Sequence, residues 1–302
     1  NIYKIHQHLF LFKQHVETTI HNIDRHLSLT NNYKTYETFN KTLLTRREML
    51  ERFKADIDNI TPYKMNFKKL NNIGHLMRCY YNLFDNKHYN DALIFSFGFS
   101  GYIETIMGLQ ENINIHKTIN KCSYTTKQTD FKNAYYAPLK ENPVKNSYNL
   151  KSNKLITGPN ASGKTTLLKS TIFNILLSQQ IGYGFYEDAK INPYDVIHCY
   201  LNIPDTSGRD SLFQAEARRC KEILTIVLSN KAKRHFCIFD EIYSGTNPYE
   251  AISGAYAYLS FLNKIRGFDY MLTTHYVSLC DKLNKTKRIE NNHMVIKRDE
   301  NK

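Results

Sequence analysis

One run of eight residues has the types and spacing of a phosphate-binding loop. Gly158 to Thr165 reads Gly-Pro-Asn-Ala-Ser-Gly-Lys-Thr and fits G-x-x-x-x-G-K-[ST]. Its glycines let backbone N–H groups close around phosphate oxygens. Lys164 can reach the terminal phosphates of a nucleotide, and the Thr165 hydroxyl can ligate Mg²⁺. The predicted nucleotide-binding residues are Gly158, Pro159, Asn160, Ala161, Ser162, Gly163, Lys164, Thr165 and Thr166.

A nucleotide site needs a metal ligand and a group that activates water besides the loop, and two neighbouring acids can supply both. His235 to Phe239 is an apolar run that predicts a buried strand, and Asp240 and Glu241 close it. Two carboxylates in that position are costly without a cation. We therefore predict that Asp240 holds Mg²⁺ and that Glu241 orients and polarises the attacking water. His275 follows a later strand-like run, where its imidazole can hydrogen-bond a γ-phosphate.

A third segment, Asp205 to Glu216, leads into a helix predicted to end near Leu228. Ser and Gly residues that open a helix can make a second N-terminus facing phosphate. An ordinary helix cap is the alternative, and spacing alone favours it.

The helices and strands that position these residues are indicated by the hydrophobic pattern, which changes near residue 116. Before it, apolar residues recur every three or four positions over long runs, which predicts an all-α bundle or lever. After it, short β-branched or aromatic runs alternate with helical segments, which predicts a parallel sheet with crossover helices. We expect a helical domain at 1–115 and an α/β domain at 116–302. The predicted helices are 3–30, 33–60, 63–84, 88–109, 165–178 and 250–265, and the strand-like runs are 154–157, 235–239, 270–273 and 294–297.

Composition excludes several classes of protein. The 302 residues are 41% hydrophobic and 13% aromatic, with 12 Gly and 7 Pro, which excludes collagen-like, mucin-like and largely disordered chains. The 6 Cys include no C-x-x-C pair, so we expect free thiols in a reducing cell and no zinc site. The most apolar long window, 91–109, is interrupted by Asp91 and Glu104, so we expect no membrane span. From the first residues we expect no secretory signal.

The positive charge lies mainly in the second part of the chain. The formal net charge is +13; residues 1–115 carry 14 basic and 11 acidic side chains, and residues 116–302 carry 27 and 17. A surplus of this size favours polyanion partners, either nucleic acid or phosphates. The alternative is a well-solvated basic surface, and charge alone does not decide between them.

Taken in order, these motifs resemble the ATPase domain of the MutS mismatch-repair family, an ABC-like P-loop fold. The resemblance covers roughly residues 130–285, and Asn142 to Asn146 looks like the family segment that packs against adenine. The residues that carry it are Leu155 to Thr166, Ser207 to Arg209, Ser211 to Glu216, Asp240 to Thr246 and Thr273 to Tyr276.

The resemblance implies a fold class, partners and residue roles. It implies an α/β P-loop NTPase domain of ABC-ATPase type after an all-α lever or clamp region, with ATP and Mg²⁺ as ligands. Lys164 and Thr165 would hold phosphate and Mg²⁺, Asp240 the metal, Glu241 the water, and His275 would sense phosphate. Val144 would lie beside the nucleotide, and Ser211 would reach the ATP of a second subunit. A homo- or heterodimer through the ATPase domain, DNA as partner and an intracellular location, cytoplasm or nucleus, follow from the resemblance.

Several positions depart from the family pattern. Ala161-Ser162 replaces the usual Met-Gly type residues, one extra residue separates Gly208 from Ser211, and Asn247-Pro248 follows Gly245-Thr246. Residues 1–115 contain no Phe-x-Glu wedge, and we expect the ATPase domain to be C-terminally incomplete. We therefore keep three hypotheses: an ATPase that controls engagement of mismatched duplex, an ATP-switched clamp on junctions or branched DNA that reads no mismatches, and an ABC-like enzyme that acts without nucleic acid.

Overall fold

The computed structural model describes residues 2–58, 60, 73–139, 141–201, 203, 211–284, 286 and 288–296. Contacts between Cα atoms divide the chain into two compact units, residues 1–111 and residues 112–302. The first unit is helical. Its helices are α1 (Ile2–Thr30), α2 (Glu37–Ile57), α3 (Ile73–Asp85) and α4 (Lys87–Glu111).

The first two helices pack along a seam of fully buried apolar residues spaced seven apart. This spacing keeps one stripe of each helix facing its neighbour over several turns. The residues of the seam are Leu9, Val16 and Ile23 in α1 and Leu43, Leu50 and Ile57 in α2. The predicted end of the second helix and start of the third fall partly on residues 59 and 61–72, which lie outside the described part of the chain.

Ion pairs beside the seam show that α1 and α2 run antiparallel. From one pair to the next, the residue number falls in α1 while the number of its partner rises. All three are partly exposed, so solvent screens them and each contributes little to stability. The pairs are Asp24 with Arg47 at 2.6 Å, Glu17 with Lys54 at 3.6 Å, and Lys13 with Asp58, which follows α2, at 3.5 Å.

The helical stretch Lys87–His116, made of α4 and the π-helical segment Asn112–His116, is the one stretch among the described residues that is long and apolar enough to cross a membrane. Its most apolar part is long enough to span a bilayer, although the acidic residues led us to expect no span. Long apolar helices also form the cores of water-soluble proteins, so this length and composition are weak evidence for a membrane. The helix buries Leu93, Ser96 and Phe99 in its own unit.

The second unit contains a five-stranded sheet in the order β11-β5-β10-β9-β8, with every neighbouring pair parallel. The helices of this unit are α5 (Lys164–Ile181), α6 (Leu212–Ser229), α7 (Pro248–Leu262) and α8 (Val277–Leu283). The strands of this sheet are β5 (Asn153–Thr157), β8 (Val196–Tyr200), β9 (His235–Asp240), β10 (Phe268–Thr273) and β11 (Ile289–His293).

Alternating residues of the sheet build two separate cores. In β9, Phe236 and Ile238 pack with α5, whereas Cys237 and Phe239 pack with α6, α7 and α8 on the opposite face. A central parallel sheet covered on both faces is the α/β arrangement that the alternation of strands and helices predicts. The predicted strands at 154–157, 235–239 and 270–273 and the helices at 165–178 and 250–265 are confirmed, with small shifts at their ends.

A smaller sheet in the order β2-β7-β3-β4 also packs against α5, and β1 pairs with β6. None of these strands was predicted individually, because they are short and polar. The prediction of a strand at 294–297 was wrong for Met294 to Ile296, which follow β11. Four of the five residues of β11 are polar, so its edge position depends on backbone pairing with β5, not on an apolar pattern. The remaining strands are β1 (Asn120–Lys121), β2 (Ser123–Tyr124), β3 (Asp130–Ala134), β4 (Asn146–Asn149), β6 (Tyr183–Gly184) and β7 (Asp188–Ile191).

Candidate active site

The glycine-containing loop joins the end of β5 to the start of α5. Gly158 has φ 152° and Gly163 has φ 90°, which are backbone conformations that side-chain-bearing residues rarely adopt. A Cβ at position 158 would lie 2.9 Å from Cβ of Met294 and 3.0 Å from Oγ of Ser162. Gly163 occupies the N-cap of α5 and supplies no side-chain acceptor. The first N–H groups of α5 are therefore free of a side-chain cap and can serve an anion.

Lys164 lies within the curve of this loop and is only 6% exposed. Its ammonium donates to the carbonyl oxygens of Gly158 at 3.0 Å and Pro159 at 3.1 Å. The hydroxyl oxygen of Ser162 is buried and has no hydrogen-bond partner. Buried polar atoms normally have partners, so an unpaired hydroxyl beside a buried ammonium fits a loop that takes a phosphate group.

Asp240 joins the loop to the sheet. Its carboxylate accepts hydrogen bonds from the hydroxyls of Thr165, at 2.9 Å, and Thr273, at 2.5 Å. Thr273 is opposite Asp240 in the register of β10 and β9, so the two strand ends present these groups together. A carboxylate beside a hydroxyl is a donor set that suits Mg²⁺, which commonly takes few protein oxygens and completes its shell with phosphate and water. The described residues contain no cluster of three or more His, Cys, Asp or Glu side chains suited to a metal.

Glu241 and His275 meet at the mouth of the same site. Oε1 of Glu241 lies 2.6 Å from Nε2 of His275, and both side chains are about two-fifths exposed. Nε2 of His275 is also 3.4 Å from the Lys164 ammonium. Glu241 has φ 52°, a left-handed conformation that a residue other than glycine adopts at a cost, and its N–H donates to the carbonyl of Thr273 at 3.1 Å. The structure thus brings together all five predicted chemical residues: Lys164, Thr165, Asp240, Glu241 and His275.

A cleft of about 970 Å³ opens beside the loop and is lined by Ala161, Ser162, Gly163 and Thr166. Val144 lies on its rim with 79% of its surface exposed. The segment after β11 forms another part of the wall, through Met294 to Ile296. The cleft has a volume suited to a small organic molecule, and its position suits the part of a nucleotide that extends from the phosphates.

Ser211 is the N-cap of α6. Its hydroxyl accepts from the Gln214 N–H at 3.3 Å, and the Gln214 side chain accepts from the Ser211 N–H at 2.9 Å. This reciprocal capping box is the ordinary helix cap that spacing favoured. The role of Ser211 toward a second subunit stays a prediction. Ser207, Gly208 and Arg209 lie outside the described residues.

Sequence reasoning gave no role to Thr273, Glu216 or Met294. Glu216, on α6, is 2% exposed, and its carboxylate accepts three hydrogen bonds from Ser244 and Gly245. The only signal for Thr273 was its place two residues before His275. The contacts of Glu216 and Met294 join segments far apart in the chain, so the spacing of neighbouring residues does not predict them.

A parallel α/β sheet gathers a glycine loop, a buried lysine and acids at its strand ends, with the loop between a strand and a helix as the motif G-x-x-x-x-G-K-[ST] predicts. Residues 154–302 match the family model described as MutS domain V. Together with the curated relatives described below, this match identifies residues 154–302 as a domain of the MutS family.

Several curated proteins are similar to about half of the chain. The DNA mismatch repair protein MutS of Phocaeicola vulgatus is 32% identical over 154 residues, which cover 49% of this chain and 17% of the relative. The proteins of the same name from Clostridioides difficile and Persephonella marina are 30% and 29% identical, over 48% and 57% of this chain and 15% and 20% of the relatives. The chain therefore spans a fifth or less of the length of these relatives.

Proposed function

We propose that the second unit binds Mg-ATP and hydrolyses it slowly, in an ABC-ATPase-like manner, as part of a MutS-type protein that engages DNA. The observation that carries the proposal is the meeting of Lys164, Thr165, Asp240, Glu241 and His275 at the carboxyl ends of β5, β9 and β10. Their residue types match the separate needs of phosphoryl transfer, which are charge stabilisation, metal binding and positioning of water.

The residues of this chain would divide the work as follows. The Lys164 ammonium would exchange the carbonyls of Gly158 and Pro159 for phosphate oxygens. Thr165 and Asp240 would hold Mg²⁺, which when bound supplies positive charge to the phosphate oxygens. Glu241 would accept a proton from water as the water oxygen bonds to the γ-phosphorus. The bond from that phosphorus to the bridging oxygen breaks, and ADP leaves with the electron pair.

His275 would act beside the phosphate. Its Nε2 contacts Glu241 and lies near Lys164, so the imidazole can exchange the Glu241 carboxylate for a γ-phosphate oxygen. Such an exchange would free Glu241 for water when ATP is present and restore the contact after phosphate leaves.

The proposal of DNA as a partner is supported by the relatives, which are named DNA mismatch repair proteins, whereas the dimer is implied by the resemblance. The effect of mismatched and of branched DNA on the rate of ATP hydrolysis tests which of the two is engaged. Ser211 would complete the site of a second subunit, as the resemblance implies.

A binding assay tests the nucleotide site directly. Binding of a fluorescent ATP analogue with Mg²⁺ should be lost in Lys164→Ala, because the buried ammonium is the main positive group in the loop. Lys151→Ala, an exposed lysine just before β5, is the matched control and should bind like the wild type. Equal binding by Lys164→Ala and the wild type would reject the assignment of this loop.

A further inference from the structure

The turn from Glu241 to Gly245 carries unusual backbone strain. Glu241 has φ 52° and Tyr243 has φ 60°, so two residues with bulky side chains lie in the left-handed region within three positions. Such conformations persist only where surrounding contacts hold them, and they concentrate at functional sites. The contacts that hold this turn therefore bear on the direction of the Glu241 side chain.

The strongest of these contacts come from a buried carboxylate on α6. Oε1 of Glu216 accepts from the Ser244 N–H at 3.0 Å and from its hydroxyl at 3.1 Å, and Oε2 accepts from the Gly245 N–H at 3.1 Å. Glu216 is 2% exposed, and these donors are neutral groups. A buried carboxylate is costly unless it is fully hydrogen-bonded, so its presence here calls for a role.

Further contacts hold the turn from Glu241 to Gly245 close to α6. A Cβ at Gly245 would lie 2.7 Å from Cγ of Leu212, so only glycine allows this approach. The Tyr243 N–H donates to the Tyr200 hydroxyl at 3.4 Å. Burial first, and then the nearby Cys220 and Glu216, raise the pKa of Tyr200, so its hydroxyl stays neutral beside the turn.

We infer that Glu216 is a positioning residue that holds the strained turn and thereby aims Glu241 at His275. The inference rests on the proposed hydrolysis, since it assigns Glu216 to the same site. Glu216 does not touch the phosphate loop and acts through the backbone of Ser244 and Gly245. Its loss should affect turnover more than nucleotide binding, because binding depends chiefly on the separate loop around Lys164.

The test compares Glu216→Gln with Glu222→Gln, an exposed glutamate on the same helix that pairs with Arg219. Gln has the shape of Glu but brings an NH₂ group against N–H donors, so part of the hydrogen bonding is lost. We expect kcat to fall about tenfold or more in Glu216→Gln, with KM and the affinity for a Mg-ATP analogue changed less than about twofold. Glu222→Gln should match the wild type in all three.

Hydrogen exchange supplies a readout that does not need turnover. Peptides covering residues 241–246 should exchange faster in Glu216→Gln than in Glu222→Gln, while peptides covering 158–165 stay unchanged. Wild-type kcat and exchange in Glu216→Gln would overturn the inference, and so would a parallel loss of binding and kcat, which indicates a general structural role. If the wild type binds nucleotide without hydrolysing it, the proposed hydrolysis fails, and the exchange comparison still decides whether Glu216 holds the turn.

Discussion

In the proposed hydrolysis, single residues decide the chemistry, and Glu241 has the most specific proposed task. Its carboxylate already contacts His275 at 2.6 Å, and its backbone is held to β10 through the carbonyl of Thr273. A carboxylate placed at the mouth of a phosphate site can accept the proton of an attacking water, whereas an amide of the same shape cannot.

Glu241→Gln should therefore retain binding of Mg-ATP and lose hydrolysis by about 100-fold or more, which is the usual worth of a general base. Phosphate release at saturating ATP measures the effect, and analogue binding measures retention. Glu222→Gln again serves as the control. Hydrolysis at the wild-type rate would show that another group activates the water.

Gly158→Ala tests the shape of the loop. The added methyl group would approach Met294 within 2.9 Å at a φ of 152°, so the loop must shift. Affinity for the Mg-ATP analogue should fall about tenfold or more, which corresponds to about 1.4 kcal/mol. Gly74→Ala in α3 has open space around its Cβ and should leave affinity unchanged. Unchanged affinity in Gly158→Ala would mean that the loop does not close around phosphate.

The residues that could be predicted from the sequence are those whose motif fixes both type and spacing. Lys164, Thr165 and the Asp240-Glu241 pair belong to this group, and their grouping follows because parallel strands end at one edge of a sheet. Thr273 and Glu216 could not be predicted, because the first depends on the register of β10 with β9 and the second on how α6 packs. The strained backbone at Glu241 is likewise set by tertiary contacts.

At the scale of elements, strands β8 and β9 are joined by a buried histidine pair away from the site. Nε2 of His198 lies 3.0 Å from Nδ1 of His235, and Nε2 of His235 lies 3.0 Å from the carbonyl of Asn230. The carbonyl can only accept, so His235 donates from Nε2 and its Nδ1 accepts from His198. Burial, followed by the nearby His235 and Arg219, lowers the pKa of His198 to about 4.

This pair predicts a loss of stability in acid. The unfolded chain takes up a proton at His198 near its ordinary pKa of about 6.5, whereas the folded chain resists it until about 4. Stability should therefore fall as the pH drops through this window, by at most about 3 kcal/mol from this group. Urea midpoints at several pH values measure it.

His198→Gln is the matched comparison, because its amide can still donate to His235 but does not titrate. Its urea midpoint should depend less on pH than that of the wild type between about 6.5 and 4. His15 and His26, whose pKa values burial also lowers, contribute equally to both proteins. The same pH dependence in both would refute the role of His198.

At the scale of the whole molecule, the chain combines a helical unit with a domain of the MutS family, and it spans a fifth or less of the length of its relatives. The lever or clamp role of the helical unit, which includes the antiparallel pair of α1 and α2, stays a prediction. The excess of basic side chains in residues 116–302 agrees with polyanionic ligands, and a nucleotide is one such ligand.

The three hypotheses about DNA differ in what changes the rate of hydrolysis. A mismatch-controlled ATPase should respond to mismatched duplex more than to perfect or branched duplex at the same salt concentration. A junction clamp should respond most to branched DNA, and an enzyme acting without nucleic acid should respond to none. Phosphate release with each DNA form, at several protein concentrations, separates them. A specific activity that rises with protein concentration would support a dimer.

The central claim is that the loop around Lys164 and the acids at 240 and 241 form one Mg-ATP site. A crystal structure with Mg²⁺ and a non-hydrolysable ATP analogue tests it most directly. We expect the Lys164 ammonium to leave the carbonyls of Gly158 and Pro159 for the terminal phosphate, with the ion held by Thr165 and Asp240. A nucleotide bound elsewhere, with Lys164 still on those carbonyls, would contradict the account.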